Sequence, residues 1–150
     1  MLRGLVVAGA LLVGVSAVMA QDAVKDAAKD AQATMKGNGK NAAVLAAIVK
    51  GEKPYDQAAV DAAFAQFNET AKKLPTLFPA SLKGVKLDGD YQPSPKIWEN
   101  RAGFDEHAAS FGKAVAEAKS KVKDLDTLKA SFTDLGKQCL GCHETFRVKM

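Results

Sequence analysis

A chain of 150 residues with 21 basic and 17 acidic side chains carries a formal charge of +4, and its lysines are interspersed with Asp and Glu. No block of five or six like charges occurs, so nothing argues for nucleic acid as a partner and the surface reads as an ordinary solvated one. The composition leans to Ala, Lys and Asp with few β-branched residues, which favours helix over strand.

The first twenty residues, MLRGLVVAGALLVGVSAVMA, place one positive charge at Arg3 before an apolar run from Leu5 to Val15, with Val18 and Ala20 suited to a processing site. This layout predicts a secretory signal peptide over 1–20, cleaved after Ala20 to leave Gln21 as the mature N-terminus. An uncleaved membrane anchor is the alternative, because the apolar region is close to spanning length. Cleavage leaves 130 residues at about +3, since Arg3 is the one charged residue lost. Residues 21–150 then form one domain with one modest core and no membrane span.

Four helices are predicted. From Asp22 to about Lys50, apolar residues recur at Val24, Ala27, Ala28, Ala31, Met35, Ala42, Leu45 and Ile48, and Gly51 closes the segment. Gly37 and Gly39 in KGNGK each cost about 1 kcal/mol relative to Ala. They mark either a break into two helices or a close approach of the backbone to something flat and bulky. The second helix starts near Asp56 as N-cap, buries Val60, Phe64, Phe67 and Ala71, and ends at Leu74 because Pro75 follows.

The stretch PTLFPASLKGVKLDGDYQPSP has no sustained period and predicts a long loop. Ser94 and Pro95 open the third helix as N-cap and first helical residue, with a stripe of Ile97, Trp98, Phe104, Ala108, Phe111, Val115, Ala118 and Val122. The fourth begins at Asp126, and Leu128, Phe132, Leu135, Cys139, Cys142 and Phe146 fall at helical steps, which predicts both cysteines on the core-facing side. The fold class is therefore all-α, an antiparallel four-helix bundle, and bundles build cofactor sites between facing helices.

The two cysteines lie in Cys139-Leu140-Gly141-Cys142-His143, a C-x-x-C-H sequence that serves as a c-type haem attachment signal. On a helix this spacing puts two thiols and an imidazole on one side: the sulfurs add to porphyrin vinyl groups and His143 reaches the iron. Thioredoxin-like chemistry wants such a pair at a helix start beside a βαβ unit, and structural zinc wants four ligands in separated pairs. A disulfide across so small a ring gives little stability. Buried free cysteines matching the pattern by accident are the remaining alternative.

For the other face of the iron, Met1 and Met19 leave with the signal and Met150 is expected on the same helix as His143, which leaves Met35, beside KGNGK. Met35 is thus the candidate second axial ligand, against a space-filling core methionine. His107 flanks the Phe104 and Phe111 stripe and reads as a boundary histidine. Arg147, one helical turn after His143, either lies over the imidazole or meets a propionate, or is a solvated charge at the helix end. Trp98 and Phe146 are candidates for excluding water from the haem, and core packing explains them equally.

These features resemble the class II c-type cytochromes, the group containing cytochrome c prime and cytochrome c-556. The resemblance runs from the first helix through KGEKPYD, LPTLFPASLKG and SPKIWENRAGF to GKQCLGCHETFR. It implies a left-handed four-helix bundle, a bacterial periplasmic location and one covalent haem c per chain. Many cytochromes c prime carry Arg four residues before the distal residue, where this chain has Ala31; MKGNGKNAAVL is more similar to the low-spin branch.

The expected function is electron transfer with His143 and Met35 on the iron, not enzymatic catalysis. The alternative is a five-coordinate, cytochrome c prime-like protein that binds nitric oxide or carbon monoxide. A peroxidase-like activity lacks the distal His and Arg it would use. Expected partners are periplasmic redox proteins, acidic ones being steered by lysines near the haem edge. The resemblance implies a monomer, or a homodimer through the first two helices.

Overall fold

The computed structural model describes residues 12–150. Helix α1 spans Leu12–Val49, α2 Gln57–Leu77, α3 Lys96–Glu99, α4 Arg101–Lys121 and α5 Leu125–Phe146. Two three-residue strands, β1 Tyr91–Pro93 and β2 Arg147–Lys149, and a 3-10 turn at Ala80–Leu82 complete the elements. The predicted signal segment lies partly outside the described residues and partly in the first turns of α1. Among the described residues no helix is long and apolar enough to cross a membrane.

Helices α1, α2, α4 and α5 form a four-helix bundle in which α1 packs on α2 and α5, and α4 packs on the same two. Its centre is aromatic. Phe64, Phe67 and Phe111 meet edge to face with centroids 6.3 Å apart in each successive pair, and Phe78, Phe104 and Phe146 do so at 5.9 and 5.3 Å. Each such pair contributes about 0.5–1.5 kcal/mol beyond the area it buries.

Several boundaries differ from the sequence reading for identifiable reasons. Helix α1 is not broken at Gly37 and Gly39, because Ala31, Thr34, Leu45 and Ile48, on both sides of the glycines, are buried and packing outweighs their propensity cost. Helix α2 starts from Asp56 as expected, its carboxylate accepting from Ala58 N at 3.0 Å, but continues past Pro75 to Leu77. Buried Leu77 holds the last turn to the core, and carbonyls of that turn find donors, the Arg101 guanidinium on Pro75 O and the Thr76 hydroxyl on Lys73 O at 3.2 Å.

The third predicted helix is two. Asn100 adopts φ −123°, ψ 64°, ends the single turn of α3 and caps α4, its side chain accepting from Gly103 N at 3.1 Å. An alanine at 103 would put Cβ 2.5 Å from Asn100 Nδ2, so glycine there makes room for the cap. Helix α5 starts from a capping box between Asp124 and Thr127, one residue before the expected start. It ends at Phe146, so Arg147 begins a strand and Met150, 70% exposed, lies beyond the helix on which it was expected.

The predicted loop contains β1, which pairs antiparallel with β2 in the register Tyr91↔Lys149, Gln92↔Val148 and Pro93↔Arg147. Replacing Asn100 with alanine should remove the α4 cap and cost about 1 kcal/mol. For a chain of 150 residues that is a drop of about 2–4 °C in a thermal melt followed by helical circular dichroism.

Candidate functional site

A cavity of about 470 Å³ opens between the helices beneath the segment 87–93, within the 300–1,000 Å³ usual for small-molecule sites. Five phenylalanines, 67, 78, 104, 111 and 146, line it. Helix α1 contributes Ala31, Met35, Asn38, Gly39 and Ala42, and α5 contributes Cys139, Cys142, His143 and Phe146. Both sets follow steps of three and four, which put side chains on one helix face.

The cysteines, expected on the core-facing side of α5, line this cavity: Cys139 is exposed, Cys142 half-buried, and both are free thiols. Desolvation pushes the Cys139 thiol above its ordinary value. Desolvation and then the charge of Cys139 do the same for Cys142, so both are protonated thiols at neutral pH. Burial, and secondarily the positive charge of Arg147, hold the His143 imidazole below its ordinary value. It is accordingly neutral near pH 7, with a ring-nitrogen lone pair available to a metal.

The roof is a strap. Gln92 clasps Leu87, accepting from its N and donating to its O at 2.7 Å each. Gln32 Nε2 of α1 donates to Asp88 O at 2.7 Å, and Met150 N donates to Asp90 O at 2.8 Å. The strap is thus tied to α1 on one side and to the C-terminal strand on the other. Arg147 takes part by stacking its guanidinium 4.3 Å above the centre of the Tyr91 ring, an arrangement neither sequence reading of Arg147 contained.

Of the residues singled out from sequence, Met35, Cys139, Cys142, His143, Phe146 and Arg147 all line this one cavity. Trp98 does not: its neighbour Ile97 takes that position, while the indole donates at 3.2 Å to both Phe78 O and Pro79 O, tying the α2 exit to α3. His107, read as a boundary residue, is on the wall with its ring 5.6 Å from that of Phe146. Sequence reasoning passed over Asn38 and Thr70. Thr70 was detectable as a polar residue on the apolar stripe of α2.

The two glycines separate in role. A Cβ at Gly37 would lie 3.2 Å from Gln66 Nε2, so the close approach there is by a side chain of α2; at Gly39, on the cavity wall, nothing lies within 4 Å. Apolar walls, open space beside Gly39 and a donor set of two thiols, one neutral imidazole and one thioether fit a flat aromatic cofactor carrying a metal. Among the described residues no three His, Cys, Asp or Glu side chains converge as a bare ion site, as structural zinc would need.

The family model for Cytochrome C' matches residues 26–147. The chain belongs to the cytochrome c' family. It is 59% identical over 150 residues to cytochrome c-556 of Rhodopseudomonas palustris, covering 99% of each chain. Cytochrome c' of the same organism is 36% identical over 148 residues, covering 99% of this chain and 97% of the relative. The structure also matches an NMR-validated structural model of oxidized R. palustris cytochrome c556 with a TM-score of 0.75 at 59% identity, covering 84% of this chain and 98% of the other.

Proteins of this family are non-enzymatic haem proteins, and this one is of the cytochrome c-556-like kind. If Gly39 leaves room for the cofactor, Gly39→Leu should obstruct it. The expected result is a fall in haem absorbance per chain with helical circular dichroism retained; full haem content in that variant would show that the space beside Gly39 is not used.

Proposed function

We propose that the chain is a periplasmic electron carrier, exported by residues 1–20, that holds one haem c through thioether bonds from Cys139 and Cys142. His143 and Met35 are its axial ligands. The observation that supports this reading best is that α1 and α5, far apart in sequence, bring Met35 and the Cys139-Cys142-His143 face to one cavity.

Each residue suits its part. The cysteines are on one turn, so both anchors fix the same edge of a planar group to α5. His143 is neutral by its surroundings and is next to an anchor, which orients it without further constraint. Met35 is half-buried and packed against the core, so its thioether is held in place. The haem supplies a single-electron couple whose potential a His/Met pair raises, because a thioether is a weak donor to Fe(III).

Both axial positions are then filled by the chain's own atoms, and no open site is left for a substrate or gas. Ala31, one turn before Met35, is small and buried and adds no polar group there. Lys36, also on the cavity wall, is the exposed lysine nearest the cofactor on α1 and, in this reading, offers a salt-dependent contact to acidic redox partners.

The test is optical. Purified protein should be low-spin with and without dithionite and indifferent to carbon monoxide when reduced, whereas Met35→Ala should turn high-spin and bind carbon monoxide. Wild type that takes up carbon monoxide at once would overturn Met35 ligation and favour the five-coordinate alternative. Separately, Cys139→Ser with Cys142→Ser should abolish the haem that stays with the polypeptide through denaturing electrophoresis.

A further inference from the structure

Asn38 is one helical turn after Met35, and both are on the cavity wall. Its carboxamide ends a hydrogen-bond chain that starts on α2. Gln66 Nε2 can only donate, so the Thr70 hydroxyl accepts there at 3.3 Å and gives its one proton to Asn38 Oδ1 at 2.8 Å. Thr70 is 1% exposed, which shields the central link from competing water. Gly37 is part of the same arrangement, since a Cβ there would crowd Gln66 at 3.2 Å.

The chain has a direction and therefore a free end. With Oδ1 accepting the one proton of Thr70, turning the Asn38 amide would leave that buried proton without this acceptor, which favours the orientation with the amide N–H groups free. Among the described residues no acceptor meets Asn38 Nδ2, although the side chain is on the cavity wall. An oriented N–H donor is thus held on the cavity wall by two residues of another helix.

We propose that Asn38 is a positioning residue that directs its amide N–H toward the Met35 side of the cavity and thereby favours the reduced iron. This rests on the reading of Met35 as a ligand given above. The positive end of the N–H dipole disfavours the extra positive charge of Fe(III). Where it reaches the second lone pair of the Met35 sulfur, it draws density from that donor and acts in the same sense. Hydrogen bonding around a metal's ligands is a recognised lever on reduction potential, and it is stronger in a low-dielectric pocket. Besides the attachment residues Cys139, Cys142 and His143, the charged and titratable groups that line the cavity, Lys36, Asp88, Asp90, Tyr91, His107 and Arg147, are left unaltered in the variants below.

The experiment is a redox titration of the holoprotein beside Asn38→Leu, Asn38→Asp and Thr70→Val, with the sulfur-to-iron charge-transfer band of the oxidised form recorded for each. Asn38→Leu should move the equilibrium about tenfold toward the oxidised form, a potential about 59 mV lower. Asn38→Asp has the same shape and still accepts from Thr70 but has no N–H when ionised, and its negative charge also favours Fe(III), so it should move further than Asn38→Leu. Thr70→Val, which frees the amide to turn, should give about a threefold change. Potentials within twofold of wild type in Asn38→Leu, with the band intact, would overturn the proposal and leave Met35 ligation standing. A shift in Asn38→Leu that is absent in Asn38→Asp would assign the effect to packing and overturn it too. Absence of the band in wild type would instead remove Met35 from the iron and the proposal with it.

Discussion

The bundle depends on keeping a space between its helices open and apolar. Ordinary helix packing closes such a space with side chains at 8–10 Å between axes. Here the side chains that could close it are small on the α1 side, Ala31, Gly39 and Ala42, and set back as a ring of phenylalanines elsewhere. Edge-to-face contacts pack the rings against one another, which opposes their turning inward to fill the gap. Burying a phenylalanine contributes about 1.5–3 kcal/mol, and the faces turned to the cavity realise their share only when an apolar group occupies it. The cofactor is therefore part of the core as well as the seat of the chemistry.

That requirement explains the division of labour between elements. In the proposed reading, helix α5 carries the groups that hold the occupant, on one face and within one turn, and helix α1 carries the opposing thioether and must be rigid there despite two glycines. The structure supplies rigidity from α2: Gln66 lies against Gly37, and Thr70 reaches Asn38. The strap over 87–93 closes the top with backbone and carboxamide hydrogen bonds, and its partner strand begins at the residue after α5 ends. Attachment face, opposing ligand and roof are thereby linked through a few short contacts.

How much of this was legible follows from the range of the interactions. The C-x-x-C-H turn and the four apolar stripes are local patterns, and they led to the bundle and to six of the residues that line the cavity. Asp56 as a cap was equally local. The break at Asn100 was hidden because the stripe from Ile97 to Phe104 continues through it, and it shows only in the pairing of Asn100 with Gly103. Pro75 misled because burial of Leu77 and a hydrogen bond from Arg101 of another helix to the last turn carry α2 past it. The ribbon, the Arg147–Tyr91 stack and the Trp98 hydrogen bonds join residues 19 to 58 apart in sequence, and no periodicity encodes such partners.

Fold alone does not fix what such a protein does, because function resides in the site built on it. At 36% identity to cytochrome c' and 59% to cytochrome c-556, the chain shares its family with both. What separates carrying an electron from holding a gas on one scaffold is whether the chain commits an atom to the second axial position. That choice depends on a few positions of α1, where a thioether, a small buried alanine one turn before it and an oriented amide one turn after it occur together. In the proposed reading, the small residues Ala31, Gly39 and Ala42 among the cavity-facing positions of α1 let its backbone come close, so that a short reach from Met35 would fill the position that a gas would otherwise take.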